Sequence, residues 1–173
     1  MAFGISGLAA RTLAVLGLSM ALAACEGLGS MGSRTPDVTN APAKGFADVK
    51  AGSEEDFILN VGRRTYFKSG SAEIDDVART TLDKQAEWLK RYTTWKVKLQ
   101  GFADDPGGAK ANKALSAKRA EAVRLYLVSR GVEAARMWSK GYGTKRIVRD
   151  CSDITCKSQN RRVVTNLREE FDT

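Results

Sequence analysis

Two side chains of opposite charge, Asp104 and Arg119, are the residues of this sequence best suited to bind a small charged ligand. Asp104 lies just beyond an expected strand, in a loop with glycines nearby, and Arg119 lies within the helix expected after it. A carboxylate binds an ammonium group, and a planar guanidinium binds a carboxylate through two parallel hydrogen bonds. The pair therefore predicts a site for a zwitterionic amino-acid head group, with both side chains facing one open pocket. A direct ion pair between Asp104 and Arg119 is the alternative.

The composition limits the kinds of chemistry that the chain can perform. Its 173 residues are enough for one globular domain, and they include no histidine. Zinc sites, nucleophile triads and acid–base pairs that depend on histidine are therefore excluded. We predict that the protein is not an enzyme and has no metal site and no cofactor. The net charge of +8 suggests an anionic partner, such as nucleic acid, a lipid surface or an acidic polymer.

Hydrophobic spacing predicts the elements that position the two charged residues. Val97 and Leu99 alternate with polar residues, which indicates a half-buried strand, and Gly131 is well placed to end the helix that carries Arg119. The expected order is β-α-β-α-β-β, with strands at 65–67, 95–101, 136–142 and 163–167 and helices at 72–92 and 110–130. Strand–helix–strand connections of this length imply some parallel pairing, with the helices packed on the sheet.

Each long helix has a predicted apolar stripe. In the first helix we expect the buried positions to be Ile74, Val77, Ala78, Leu82, Gln85 or Ala86, Trp88 and Leu89. In the second helix we expect them to be Leu115, Ala120, Val123 and Leu127. Asp105, in the loop before the second helix, is expected to be a solvated acid or a turn former ahead of Pro106.

The first 24 residues have the features of a secretory signal. Arg11 is their only charge, and the apolar run that follows it is too short for an ordinary membrane-spanning helix. The segment ends in Leu22-Ala23-Ala24-Cys25, which resembles the lipobox of bacterial lipoproteins and implies a lipidated Cys25; a plain cleaved signal is the alternative. Acyl chains on that cysteine would anchor the protein to a membrane, and Glu26 favours the outer membrane. An exported protein is not expected to bind nucleic acid.

A flexible tether is predicted between the lipid anchor and the folded domain. Residues 26–50 are rich in small and polar residues and show neither helical nor strand periodicity. A segment of about 25 residues spans ~80 Å when it is extended. The predicted organisation is a signal peptide at 1–24, a lipidated cysteine and tether at 25–50, and one domain at 51–173.

The segment that carries Asp104 and Arg119 also resembles a known family. It reads GFADDPGGAKANKALSAKRAEAV from residue 101 to residue 123, and its spacing is similar to that of the OmpA-like peptidoglycan-binding domain. Further matches are TYFKSGSAEI, Gly141-Tyr142-Gly143 and Asn160-Arg161-Arg162-Val163, so the resemblance covers about residues 55–168. The matched positions within the segment are Gly101, Ala103, Asp104, Gly107, Asn112, Leu115, Ser116, Arg119 and Ala120.

The resemblance implies a fold and a ligand. The fold is an α+β domain, an OmpA-like β-α-β-α-β-β mixed sheet with both long helices on one face. The ligand is the diaminopimelate side chain of the peptidoglycan stem peptide, whose amine would be bound by Asp104 and whose carboxylate would be bound by Arg119. Asn112 and the backbone around Ala103 and Leu115 would shape the pocket.

Within the family, the lipobox and the tether are most similar to those of the lipoproteins of the Tol-Pal system. This similarity implies a lipoprotein of the outer membrane that faces the periplasm, tethers that membrane to the cell wall and supports envelope integrity and cell division. Its implied partners are peptidoglycan and a TolB-like periplasmic protein. A general peptidoglycan anchor outside the Tol system is the alternative. A cell-wall hydrolase is disfavoured because the sequence offers no catalytic constellation.

The sequence departs from the family pattern in the turn after the first strand. Lys68-Ser69 stands where close relatives have Phe-Asp, so no ligand contact is assigned to that turn. Arg161 and Arg162 are expected to form a basic rim or a pair at the sheet edge, and contact with the ligand is the alternative. Once Cys25 is lipidated, Cys151 and Cys156 remain as a pair in an oxidising compartment, which predicts a disulfide between them.

Overall fold

The computed structural model describes residues 48–150 and 153–171, without the side chains of residues 154 and 155. The predicted signal peptide, Cys25, the tether as far as residue 47, and Cys151 lie outside these residues. The lipidation and the disulfide therefore stay predictions. No helix in the part of the chain that the structure describes is long and apolar enough to cross a membrane.

Four strands and two long helices form the framework of the described residues. The strands are β1 (Arg64–Tyr66), β2 (Lys96–Gly101), β3 (Met137–Gly141) and β4 (Arg162–Arg168). The helices are α1 (Glu54–Asp56, continued by a π-helical turn at Phe57–Val61), α2 (Asp76–Arg91), α3 (Ala109–Ser129) and α4 (Ile154–Ser158), and a 3₁₀ turn (Ala134–Arg136) precedes β3. The long elements confirm the predicted order β-α-β-α-β-β.

The four strands form one mixed sheet in the order β1-β4-β2-β3. Strand β4 is antiparallel to both β1 and β2, whereas β2 and β3 are parallel and are connected through α3. Because parallel strands end at the same edge of a sheet, Gly101 at the end of β2 pairs with Gly141 at the end of β3. The loop that carries Asp104 begins at this edge.

Both long helices pack on the same face of the sheet. Leu99 of β2 and Thr165 of β4 are paired, and the Thr165 hydroxyl donates to Oε1 of Gln85 in α2 at 2.8 Å. Gly101 shares the face of Leu99, since it is two residues further along β2, and it lies against Ser116 of α3. The core between helices and sheet includes Leu82, Ala86, Leu89, Val97, Leu99, Val123, Leu127, Val163 and Leu167. The predicted α+β fold is therefore confirmed.

Two positions of the predicted apolar stripes are wrong. Val77 is 77% exposed, because α2 begins at Asp76 rather than at residue 72 and the residue that its first turn buries is Ala78. Leu115 is only half-buried, because the first half of α3 turns a polar stripe inward. The buried residues of that stripe are Asn112, Ser116 and Arg119. This inward polar stripe places Arg119 inside the protein.

The absence of a side chain at Gly101 lets α3 approach the end of β2. A Cβ atom at this position would overlap the carbonyl oxygen of Ser116 and would lie 2.9 Å from its carbonyl carbon. We predict that Gly101→Ala lowers the free energy of unfolding by about 1–3 kcal/mol through overpacking. Urea unfolding followed by circular dichroism measures the change. Gly108→Ala is the matched control, since nothing lies within 4 Å of its added Cβ. Equal stability of the Gly101→Ala and wild-type proteins would contradict the close packing.

Candidate ligand-binding site

The guanidinium of Arg119 is completely buried and all its N–H groups are used within the protein. Its exposure is 0%. Nε donates to the carbonyl of Ser71 at 2.7 Å, and the two terminal nitrogens donate to the carbonyls of Phe102 at 3.4 Å and Lys68 at 3.0 Å. The same two nitrogens form a fork with the carboxylate of Asp105, at 2.7 and 3.0 Å. Five donors therefore have five acceptors, and Arg119 joins α3 to the β1–α2 turn and to the loop after β2.

Asp105 is the acid that pairs with Arg119, so the prediction of a solvated loop acid is wrong. It is buried, and its carboxylate also accepts a hydrogen bond from the backbone N–H of Gly70 at 2.6 Å. Burial alone would raise the pKa of Asp105, but the hydrogen bonds from Arg119 and Gly70 and the charges of Arg119 and Arg161 outweigh it and hold that pKa below its ordinary value. Asp105 is therefore ionised at neutral pH.

Asn112 fixes the backbone of the same loop. Its side-chain oxygen accepts from the N–H of Asp105 at 2.9 Å, and its amide nitrogen donates to the carbonyls of Asp105 at 3.0 Å and Gly107 at 3.2 Å. Ala103 is buried as well, and its N–H donates to the carbonyl of Gly143 at 3.0 Å. Both residues thus hold the loop in place through contacts within the protein.

The carboxylate of Asp104 is hydrogen-bonded to Asn160, in the segment just before the last strand. Asp104 is half-buried, and its carboxylate accepts from the side-chain amide of Asn160 at 2.8 Å. Asn160 in turn accepts from the N–H groups of Val148 and Arg149 at 2.9 and 3.1 Å and donates to the Arg149 carbonyl at 2.7 Å. Asp104 therefore lies where the loop after β2 meets the loop before α4.

The five residues predicted to bind ligand are close together in the fold but differ in accessibility. Asp104 and Leu115 are half-buried, whereas Ala103, Asn112 and Arg119 are buried. In the structure Arg119 is paired with Asp105 and Asp104 is hydrogen-bonded to Asn160, so the alternative of a direct pair between Asp104 and Arg119 is not formed among the described residues. The role of Asp104 and Arg119 in ligand binding stays a prediction. Sequence reasoning missed Asp105, although adjacent acids in a loop offer two candidates for one guanidinium.

Arg161 and Arg162 are not the basic rim that the sequence suggested. Both are buried: Nε of Arg161 donates to the carbonyl of Phe67 at 3.2 Å, and the Arg162 guanidinium lies 4.3 Å from the centre of the Phe102 ring. The Lys68–Ser71 turn meets the site through its backbone, with the Lys68 and Ser71 carbonyls on Arg119. Its side chains have no role in these contacts.

Comparison with known sequences places these residues within a recognised family. Residues 66–161 match the OmpA family. The chain is 41% identical over 150 residues to the peptidoglycan-associated lipoprotein of Rhizobium meliloti, an alignment that spans 87% of this chain and 83% of that protein. It is also 41% identical over 172 residues to the protein of the same name from Agrobacterium fabrum, spanning 91% of this chain and 89% of that protein.

A solved structure has the same architecture. The crystal structure of the peptidoglycan-associated lipoprotein from Burkholderia pseudomallei aligns with a TM-score of 0.61 and 29% sequence identity, over 71% of this chain and 98% of that one. The C-terminal domain of Helicobacter pylori MotB aligns with a TM-score of 0.56 at 20% identity, over 61% of this chain and 83% of that one, and supports the fold alone. The mixed sheet with its two helices is therefore shared by proteins of different names.

Proposed function

The chain belongs to the OmpA family and, within it, to the peptidoglycan-associated lipoproteins, and from this membership we propose that it binds peptidoglycan without cutting it. The observation that carries the proposal is the 41% identity to the Rhizobium meliloti protein over 83% of that protein's length. The OmpA family is a family of binding domains rather than of enzymes. In this chain the residues with the binding chemistry lie in the matched range, 66–161.

The proposed ligand is the diaminopimelate residue of the stem peptide. Its side chain carries an ammonium and a carboxylate on one carbon, and the half-buried carboxylate of Asp104 is the group that would accept the ammonium. Arg119 has no unused donor, so a ligand carboxylate reaches it only by replacing an acceptor that is already present. Asp105 is the acceptor of the same chemical type. In the proposal the ligand carboxylate exchanges with it. Asn112 and Ala103 hold the loop in place, and the backbone around Leu115 would help to shape the pocket.

The proposal includes a place in the cell envelope. A lipidated Cys25 would anchor the chain in the outer membrane, and the tether would present the domain to the cell wall in the periplasm. Membership among the peptidoglycan-associated lipoproteins supports a role in the Tol-Pal system, with a TolB-like protein as the second partner. We propose that the surfaces for peptidoglycan and for that partner overlap, so that one excludes the other. Simultaneous saturation by both would contradict this part of the proposal.

Titration with a small ligand tests the binding chemistry. We predict that a stem peptide with a free diaminopimelate head group binds the wild-type protein, and that acetylation of the head-group amine weakens binding at least tenfold, because a charge-assisted hydrogen bond contributes about 1.5–3 kcal/mol. Isothermal titration calorimetry measures both affinities. Equal affinity for the two peptides would remove the ammonium from the recognition. Release of soluble muropeptides from purified sacculi would instead assign the protein to the hydrolases.

A further inference from the structure

An aromatic pair surrounded by four cations lies beside the proposed diaminopimelate site. The rings of Phe102 and Tyr142 are stacked, with their centres 5.5 Å apart and their planes at 21°. Three cationic side chains lie over the Tyr142 ring and a fourth lies over the Phe102 ring. The four, which we call the basic cluster, are Lys113 at 5.6 Å, Lys140 at 5.9 Å and Arg146 at 5.6 Å from the Tyr142 centre and Arg162 at 4.3 Å from the Phe102 centre.

No carboxylate neutralises the basic cluster within residues 48–150 and 153–171. None of its members takes part in an ion pair in this part of the chain. The ammonium of Lys113 donates to the carbonyl of Gly141, and Arg162 donates to the carbonyls of Arg146 at 3.1 Å and Asn160 at 3.4 Å. Backbone carbonyls and ring faces are thus the partners of four positive charges.

Arg162 is the member of the basic cluster whose charge a bound anion would stabilise most. It is 5% exposed, and its buried Nε has no hydrogen-bond partner among the described residues. Burial and the nearby charge of Arg64 lower the pKa of Arg162. A buried guanidinium without an acid is costly because the protein interior solvates the charge poorly. The fold therefore holds a concentrated positive charge that an anionic ligand would offset.

The basic cluster is connected to Asp104 through a single residue. The backbone carbonyl of Asn160 accepts from Arg162, and the side-chain amide of Asn160 donates to the carboxylate of Asp104. A ligand whose ammonium is bound by Asp104 would therefore bring its neighbouring groups to the basic cluster. The stem peptide carries further free carboxylates on the residues that flank diaminopimelate.

We propose that the basic cluster is a second subsite, which binds a free carboxylate of the stem peptide other than the one on the diaminopimelate head group. This inference rests on the proposed function, since it assumes the same ligand. Lys140 and Arg146 are exposed and would approach the carboxylate directly, while the buried Arg162 would add charge from beneath. An acidic segment of a protein partner is the competing occupant, and it is favoured less because the cluster adjoins Asp104.

Selective amidation of the ligand tests the subsite. The first probe is meso-diaminopimelate with one centre blocked (its amine acetylated and its carboxylate amidated), so that only one head group stays free, and it is called diaminopimelate below. The second probe is N-acetyl-γ-D-glutamyl-meso-diaminopimelyl-D-alanine, with its flanking carboxylates either free or amidated. The variant is Lys140→Gln/Arg146→Gln in the full chain, and the matched control is Lys84→Gln/Lys145→Gln, which removes two exposed charges that lie over neither ring. Calorimetric titration gives the affinities, and circular dichroism verifies that each variant is folded.

The proposal predicts a specific pattern of affinities. The cluster variant should bind the free-acid tripeptide about tenfold more weakly than the wild type does, which corresponds to the loss of one charge-assisted contact. Its affinity for diaminopimelate should lie within about twofold of the wild-type affinity. Amidation of the flanking carboxylates of the tripeptide should weaken its binding to the wild type about tenfold and should leave its binding to the cluster variant almost unchanged. The control variant should resemble the wild type with every probe.

Three results would overturn the subsite. The first is an equal affinity of the wild-type protein for the free-acid and the amidated tripeptide. The second is a loss of tripeptide affinity in the control variant as large as that in the cluster variant. The third is a cluster variant that still binds the tripeptide but no longer binds a TolB-like partner, which would assign the cluster to a protein. A wild-type protein that binds neither diaminopimelate nor the tripeptide would overturn the proposed function as well. Failure of the subsite alone would leave diaminopimelate binding intact, so the two failures are distinguishable.

Discussion

Replacing Arg119 with alanine should lower the free energy of unfolding by about 3–5 kcal/mol, because it leaves the buried carboxylate of Asp105 without its cation. The carbonyls of Lys68, Phe102 and Ser71 lose a donor at the same time. Urea unfolding at pH 7, followed by circular dichroism, measures the loss. A surface binding residue would give a different result, since its removal would leave the fold almost unchanged.

A surface ion pair provides the control for the Arg119 variant. Asp76→Ala removes one partner of an exposed pair with Arg79, and we expect it to change the free energy of unfolding by less than about 1 kcal/mol. Arg119→Met combined with Asp105→Leu should recover part of the lost stability, because it removes both buried charges together. A loss below about 1 kcal/mol for Arg119→Ala would contradict the buried pair.

The pH dependence of stability provides a second measurement of the same pair. Asp105 has a folded-state pKa below its unfolded value, so its contribution is present above the unfolded pKa, about 3.9, and is lost as the pH falls through the lower folded pKa. The stability curve of the wild type should therefore fall steeply below about pH 4. In the Asp105→Leu/Arg119→Met protein the free energy of unfolding should decrease less as the pH falls below about 4.

The sequence predicts the fold well because local patterns agree with one another. Alternation at Val97 and Leu99 indicates one buried face, and the helix between β2 and β3 is long enough to require a crossover between parallel strands. The glycines at 101 and 141 lie at the strand ends, and the structure shows that α3 needs them to be small. These features depend on short-range spacing, which a single sequence contains.

The partners of the charged groups could not be predicted in the same way. Asp104 and Asp105 are adjacent, and the choice between them as the partner of Arg119 depends on distant residues. Gly70 donates to the carboxylate of Asp105, and Asn160, 56 positions after Asp104, binds Asp104. Spacing along the chain does not contain these long-range contacts. The sequence therefore indicates the charge of Arg119 but neither its burial nor its pairing with Asp105, and its role in ligand binding stays a prediction.

Asp104→Asn should separate ligand recognition from stability. Asparagine keeps the size of the side chain and an oxygen that accepts from Asn160, but it removes the negative charge that the ligand ammonium needs. We expect the affinity for diaminopimelate to fall by roughly 2–5 kcal/mol, at least about 30-fold. The free energy of unfolding should change by less than about 1 kcal/mol, since Asp104 is half-buried and exposed substitutions are mild.

The two acids of the loop should therefore give opposite results. Asp105→Asn removes the charge that neutralises Arg119, so it should destabilise the protein strongly. Because it also removes the carboxylate that competes with the ligand for Arg119, the protein that stays folded should bind no more weakly than the wild type. Asp104→Asn should remove binding from a protein that is still folded, which co-sedimentation with purified sacculi and thermal unfolding measure together. Unchanged binding of the Asp104→Asn protein would place the ammonium elsewhere. Because the substitutions are identical and one residue apart, the position of each carboxylate is the only variable.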